Sequence, residues 1–302
     1  MKRYLALAMS LVMILALSAC GGAAGSGASS GEKEASPSTH EAVERAQTAP
    51  DTAAEEPVEL IVFAAASMTE TLNQIADLYQ NVAPNVTLVF NFDSSGTLKT
   101  QIQEGADVDV FISAAPKQMN QLDGSLKEDA DKNPDGLDFV LQGSRINLLE
   151  NKVTLVASEG SEIKSFDQLA ELLKDGQVLL CMGNSDVPVG QYTQKILAYY
   201  GLNEEELAKA GKITYGSNVK EVTTQVKEAS VDCGVIYATD AFSAGLTVAD
   251  EATAEMCGQI IYPAAVLSTS ARQEAAQAFL TYLTGEEAGA VFASVGFTPV
   301  AQ

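Results

Sequence analysis

The chain has 302 residues with 40 acidic against 18 basic side chains, a formal charge of −22 and a pI near 4.3. Nucleic-acid phosphates are held by basic stripes, and no such stripe is visible, so nucleic-acid binding is excluded. The single histidine, His40, falls in a segment that reads as a tether, which removes histidine triads, histidine general bases and imidazole-rich zinc or copper sites from the folded part.

Lys2 and Arg3 precede an apolar run from Tyr4 to Leu17. The run is shorter than the roughly 20 residues a bilayer span needs, so residues 1–19 read as a signal peptide. Leu17-Ser18-Ala19-Cys20 resembles the lipobox of bacterial prolipoproteins, which implies cleavage before Cys20, its lipidation, and an extracytoplasmic protein anchored on the outer face of the cell membrane. Residues 20–57 are rich in Gly, Ala, Ser, Thr, Glu and Pro and bury too little to offset their ordering entropy, so they form a flexible tether. With Cys20 committed to lipid, Cys181, Cys233 and Cys257 remain. An odd set without metal-ligand spacing allows at most one disulfide, and strand-like surroundings at Cys181 and Cys233 predict buried, inert thiols.

From Val58 the chain alternates strand and helix signals, which predicts α/β layers in two lobes. Val58 to Phe63 reads as a buried strand, and Ala64 to Ala66 permit a tight turn. Ser67-Met68-Thr69-Glu70 has capping-box spacing ahead of a helix carrying Leu72, Ile75 and Tyr79. Val86 to Phe92 is a strand, Asp93 to Thr97 a tight loop, Leu98 to Glu104 a helix, and Val108 to Ile112 a strand. The acidic stretch after Met119, to about Ser144, has turn chemistry at Asn133-Pro134-Asp135-Gly136 and reads as a surface excursion.

Val153 to Ala157 and Val178 to Met182 are strands on either side of a helix opened by Ser165-Phe166-Asp167-Gln168. A loop over Gly183 to Val189 leads into a helix at Gln191 to Tyr200, Ile213 to Tyr215 is a strand, and Asn218 caps a helix to about Glu228. Cys233 to Tyr237 and Tyr262 to Leu267 are strands, and helices at Arg272 to Thr284 and Glu286 to Ser294 close the chain.

Loops that follow a strand and open a helix recur at Ser67, Ser95, Val189 and Val219. Ligands of open α/β sheets bind at such points. Each helix N-terminus offers free N–H groups and roughly half a positive charge, so four together present on the order of +2 to a dianion without a cationic side chain. A serine hydroxyl can accept a capping bond and still donate to a ligand.

The segments FAAASMTETLNQIA, FDSSGTLKTQIQEGADVDVFISA, NSDVPVGQYTQKIL and GVIYATDA, in that order, resemble the successive signatures of the molybdate-binding proteins of ABC importers. The resemblance spans Val58 to Gln302. It implies a type II periplasmic-binding-protein fold, mixed sheets flanked by helices in two lobes with a hinge between them. Lobe I is expected at 58–150 and 243–302, and lobe II at 151–242.

The resemblance also implies a monomeric receptor that passes molybdate or tungstate to a membrane permease, with no cofactor and no direct bond from protein to metal. Its oxyanion contacts fall on the hydroxyls of Ser67, Ser95 and Tyr237 and on the backbone N–H groups of Val189 and Val219. The chain departs from the pattern at Asp93 and Asp186, read as outward and solvated, and in the length of the stretch from Asp123 to Ser144. An inward carboxylate would suit a protonated oxyanion such as hydrogen phosphate. Sulfate and phosphate are therefore the alternatives within the class, and an exported carboxylate hydrolase using Asp93 or Asp109 is the alternative outside it. A lipoprotein for adhesion or assembly is disfavoured by the strand-loop-helix series.

Overall fold

The computed structural model describes residues 56–301, so the expected signal peptide, Cys20 and all but the end of the tether lie outside the described residues. Chain order begins β1 (Val58–Ala65), α1 (Thr69–Val82), β2 (Val86–Asp93), α2 (Ser95–Gln103), β3 (Val110–Ile112), α3 (Pro116–Asn120), β4 (Ile146–Asn151) and β5 (Val153–Ala157). It continues α4 (Phe166–Lys174), β6 (Leu180–Gly183), α5 (Pro188–Tyr199), α6 (Glu204–Lys209), β7 (Ile213–Gly216), α7 (Val219–Lys227), β8 (Cys233–Tyr237) and α8 (Ala238–Ala244). The chain ends β9 (Val248–Glu251), α9 (Ala254–Cys257), β10 (Ile260–Val266), α10 (Gln273–Leu283), α11 (Glu286–Ser294) and β11 (Thr298–Pro299).

The strands form two sheets, in the orders β11-β4-β10-β3-β1-β2 and β7-β6-β8-β5-β9. β1 lies parallel to both β2 and β3, and β6 parallel to both β7 and β8. β10 and β5 are antiparallel to their neighbours. Parallel strands with helical crossovers are covered on both faces, which is why β1, β3, β6 and β8 read as near-continuous apolar runs. Leu60, Val62, Val110, Ile112, Leu180 and Val235 lie in the core at 1% exposure or less, each contributing roughly 1.5–3 kcal/mol by leaving water.

The chain crosses between sheets at two points, β4 to β5, where Lys152 alone separates the strands, and β9 to β10. These crossings make the two lobes. β9 pairs with β5, so the second lobe extends to Glu251, past the expected return at 243. β9 is short and reads Val-Ala-Asp-Glu without a buried residue, leaving little hydrophobic signal.

One expectation is corrected in the first lobe and one is sharpened. Ser67 does not cap α1: it lies inside a 3-10 turn, Ala66–Met68, and α1 starts at Thr69 without a side-chain cap. The stretch from Asp123 to Ser144 is largely exposed, as a surface excursion should be, but it is anchored to the core. Leu122 and Val140 are buried with Phe63, Leu98 and Phe111, and the buried Asn133 side chain donates to the carbonyls of Asp123 and Leu137 and accepts the N–H of Leu137. That one amide replaces the ladder bonds the irregular backbone lacks.

Candidate functional site

The small residues ending β1 bring the Ala66–Met68 turn against the start of α2, and the structure sets both against α5 and α7 of the other lobe. The result is a small, nearly filled void with a cavity volume of ≈ 10 Å³, lined by Ser67, Ser95, Val219 and Tyr237 together with Ala65, Ala66, Asp93, Ser94, Ala114, Val187 and Pro188. Four of the five expected contact residues thus meet in one place. The fifth, Val189, follows Pro188 in the first turn of α5. A broader groove of ≈ 690 Å³ includes Lys117, Lys132 and Lys195. It is the roomier feature, but of the two only the small void brings buried serine hydroxyls together with the starts of α2, α5 and α7.

Sequence chemistry explains each N-terminus. Ser94, not Ser95, caps α2, accepting the N–H of Thr97, which leaves Ser95 at the first helical position with its side chain free for other use. α5 starts with Pro188, whose missing N–H costs nothing at that position. Asn218 caps α7 by accepting the N–H of Glu221, as its place in the sequence predicts. The N–H groups of Val189 and Val219 therefore belong to first turns, where no intrahelical acceptor exists. Both residues are buried, and of the two only Val219 lines the void.

The hydroxyls belong to a buried hydrogen-bonded network. Ser95, fully buried, accepts the N–H of Ala114 at 2.9 Å. Ser67 Oγ and the Tyr262 hydroxyl are 2.9 Å apart, and Tyr262 in turn accepts from Asn151 Nδ2 at 3.1 Å. Asn151 Nδ2 also donates to Thr239 at 3.0 Å. Either hydroxyl of the Ser67–Tyr262 pair can donate to the other, and when Tyr262 donates its one proton the Ser67 proton is left for a ligand. Tyr237 donates to the carbonyl of Ala114 at a long 3.4 Å. Burial pushes both tyrosine hydroxyls well above their ordinary pKa, so both remain proton donors.

Ala114, Asn151 and Tyr262 were not predicted from sequence. Their contacts span long stretches of chain, and no local pattern marks them; a tyrosine in the otherwise aliphatic β10 is the one available signal.

The lobes touch around the void. Gly96 donates its N–H to the carbonyl of Asp186 at 3.1 Å, and a Cβ on Gly96 would lie 2.2 Å from that oxygen. Only glycine permits this approach. Asp93, expected to be solvated, is instead half-buried and lines the void. Its Oδ1 accepts the N–H of Ser94 at 2.7 Å and Asn218 Nδ2 at 3.3 Å, contacts that hold it at the lobe boundary. Asp186 is exposed, in keeping with its reading. Asp109, offered as a catalytic acid, is fully buried and engaged by the N–H of Ile61, by Ser270 and by Arg272, which makes it a structural anchor.

Cys181, Cys233 and Cys257 are free and buried, and burial raises all three thiols. Among the described residues no group of His, Cys, Asp and Glu is arranged to hold a metal ion, and no helix is long and apolar enough to cross a membrane.

Residues 60–298 match the family described as bacterial extracellular solute-binding protein. YvgL of Bacillus subtilis, whose name provisionally classes it as an ABC transporter substrate-binding lipoprotein, is 32% identical over 82% of this chain and 89% of that protein. The molybdate-binding protein ModA of Haemophilus influenzae is 30% identical over 78% of this chain and 89% of that protein. Among solved structures, the periplasmic molybdate-binding protein of Azotobacter vinelandii shares the fold, with a TM-score of 0.67 at 23% identity over 80% of this chain and 100% of that one.

Proposed function

The chain belongs to the bacterial extracellular solute-binding protein family, and from that premise we propose that it is a receptor that captures molybdate, and tungstate with it, between its lobes for delivery to the permease of an ABC importer. The family is one of solute carriers rather than enzymes. Molybdate is the ligand named for the relatives from Haemophilus and Azotobacter. In this reading Ser67 and Ser95 give hydroxyl protons, Tyr237 turns its one proton from its long bond to the Ala114 carbonyl, and Val189 and Val219 give backbone N–H groups, to the oxygens of the dianion. No protein atom bonds molybdenum. Cys20 carries the lipid that holds the monomeric protein outside the cytoplasmic membrane, and residues 20–57 tether lobe I (58–150 and the C-terminal part) and lobe II.

The observation that carries the reading is the state of Ser95. Its oxygen accepts the N–H of Ala114 and its proton has no acceptor among the described residues, inside a void where helix N-termini converge. Stripping a small anion of water costs tens of kcal/mol unless short donors replace it, and such a constellation supplies them. A dianion with no proton of its own suits a site made of donors.

A second reading, hydrogen phosphate, has one specific support: the Asp93 carboxylate on the wall of the void is able to accept a ligand proton. Thermal unfolding of the ligand-stripped protein separates the two. At 100 times its dissociation constant a ligand adds about 2.7 kcal/mol, so molybdate and tungstate should each raise the midpoint while phosphate and sulfate leave it in place. A shift with phosphate alone moves the ligand and implicates Asp93. No shift with any of the four overturns the receptor reading.

A further inference from the structure

Lys220 sits in the first turn of α7, where the helix dipole disfavours a cation and where acids are the rule. Its ammonium is nonetheless held from two directions. On its own lobe it lies 3.1 Å from Oδ1 of Asp240, a fully buried carboxylate in the first turn of α8 whose oxygens have no aligned hydrogen bond. From the other lobe, Glu70 in the first turn of α1 brings both carboxylate oxygens to it, at 2.9 and 2.7 Å.

The two halves differ in kind. Asp240 has no exposed side-chain surface, whereas Glu70 remains 51% exposed. The first contact stays within one lobe whatever the lobes do; the second exists only when they meet. We propose that Lys220 is a positioning residue that latches the closed cleft, pre-set by Asp240 to receive Glu70, and that this contact governs how long the bound oxyanion stays.

The latch lies beside the candidate ligand contacts on both sides. Lys220 follows Val219, and Glu70 is three residues beyond Ser67. An anion drawing the starts of α1 and α7 together forms the ion pair, and by reciprocity the ion pair favours the anion-bound state. A local rule broken at Lys220, with a buried acid supplied behind it, is the pattern of a residue retained for function rather than for its helix.

The inference rests on the oxyanion-receptor reading. Its test is the dissociation rate of molybdate from the intact protein, measured by displacement with excess tungstate, for wild type, Glu70→Gln, Lys220→Met, the double variant and Lys220→Arg. Glu70→Gln leaves Lys220 paired with Asp240, so the ligand-free unfolding midpoint should not move, while dissociation quickens by about 5-fold, the scale of a partly exposed ion pair. Lys220→Arg should retain slow release. In the Lys220→Met background Glu70→Gln should add nothing, and raising ionic strength should quicken release from wild type more than from Glu70→Gln.

Should Lys220→Met fail to fold because Asp240 is orphaned, Glu70→Lys carries the test, with release faster than in Glu70→Gln. Tight wild-type binding with an unchanged Glu70→Gln rate overturns the latch alone. Absence of molybdate binding by the wild-type protein overturns the receptor reading and the latch with it.

Discussion

The wall built on the first sheet offers side-chain hydroxyls, Ser67 and Ser95, each backed by a protein donor or hydroxyl, while the wall built on the second offers the Tyr237 hydroxyl and the first turns of α5 and α7, where Val189 and Val219 are buried. The first wall depends on residue identity and the second, Tyr237 apart, on backbone course. One can be erased by removing an oxygen; the other survives most substitutions and fails only when the N–H itself is lost. The walls also treat buried acids differently. Asp109 behind the first has Arg272, Ser270 and a backbone N–H, whereas Asp240 behind the second has Lys220 without hydrogen-bond alignment.

That last contrast carries the largest expected effect. Burial pushes Asp240 up to about 6, Lys220 pulling it down and Glu70 adding to the rise. Burial also lowers the Lys220 ammonium, but Asp240 and Glu70 outweigh it and the net direction is up. A carboxyl whose folded pKa exceeds its unfolded value takes up a proton on folding. Its stabilising contribution is full below about pH 4 and is lost as pH rises through about 6, on the order of 3 kcal/mol in all. Denaturant titrations of wild type and Asp240→Asn across pH 4 to 7 check this: the wild type should lose stability relative to the variant over that window. Asp123, lowered by its bonds from Ser125 and Arg145 against the effect of burial, slopes the other way in both proteins and cancels.

The next effect concerns the meeting of the walls. Gly96→Ala puts a Cβ 2.2 Å from the carbonyl oxygen of Asp186, and because that is backbone on the other lobe the cleft must close incompletely. Strain of about 1–3 kcal/mol corresponds to as much as roughly 100-fold weaker molybdate binding, with the ligand-free unfolding midpoint unchanged. Calorimetric titration beside a melting curve separates the two quantities. An unchanged affinity would mean that the bound state is more open than this structure.

Ser95→Ala tests the first wall directly. It removes a donor to the anion and leaves the Ala114 N–H without its acceptor, so affinity should fall by about 1.5–3 kcal/mol, or 10- to 100-fold. Ser67→Ala should cost less, because Tyr262 can turn its own proton toward the ligand when Ser67 no longer accepts it.

Much of this architecture was legible because its signals are local. Ser165 and Asn218 cap their helices as the sequence predicts, accepting N–H groups three residues on, and the apolar runs of β1, β5 and β8 stand where read. What escaped is short or long-range. β9 and α8 carry few buried residues, and β4 lies against the turn-rich stretch that hid it. Ser67 fits a capping box in sequence, yet its hydroxyl faces Tyr262, 195 positions away; Glu70 and Lys220 are 150 apart. No window of sequence contains both members of such a pair. The order of loops therefore predicts where the ligand contacts fall, while their backing, which sets the direction of each proton, has to be read from the fold.

The smallest effect is the sharpest probe of the second wall. Val219→Ala shortens a buried side chain but keeps the N–H, so molybdate affinity should change by less than about 2-fold even if stability falls by about 1 kcal/mol or more from the lost methyls. Val219→Pro at the same position removes the N–H and little else. The first helical position tolerates proline, and Asn218 before it is already extended, with φ −151 and ψ 173, as a residue preceding proline requires. Titration of the pair should give near-wild-type affinity for alanine and about 10-fold weaker affinity for proline. If the two variants bind alike, the backbone N–H of Val219 is not a ligand donor, and the second wall acts through α5 and Tyr237 alone.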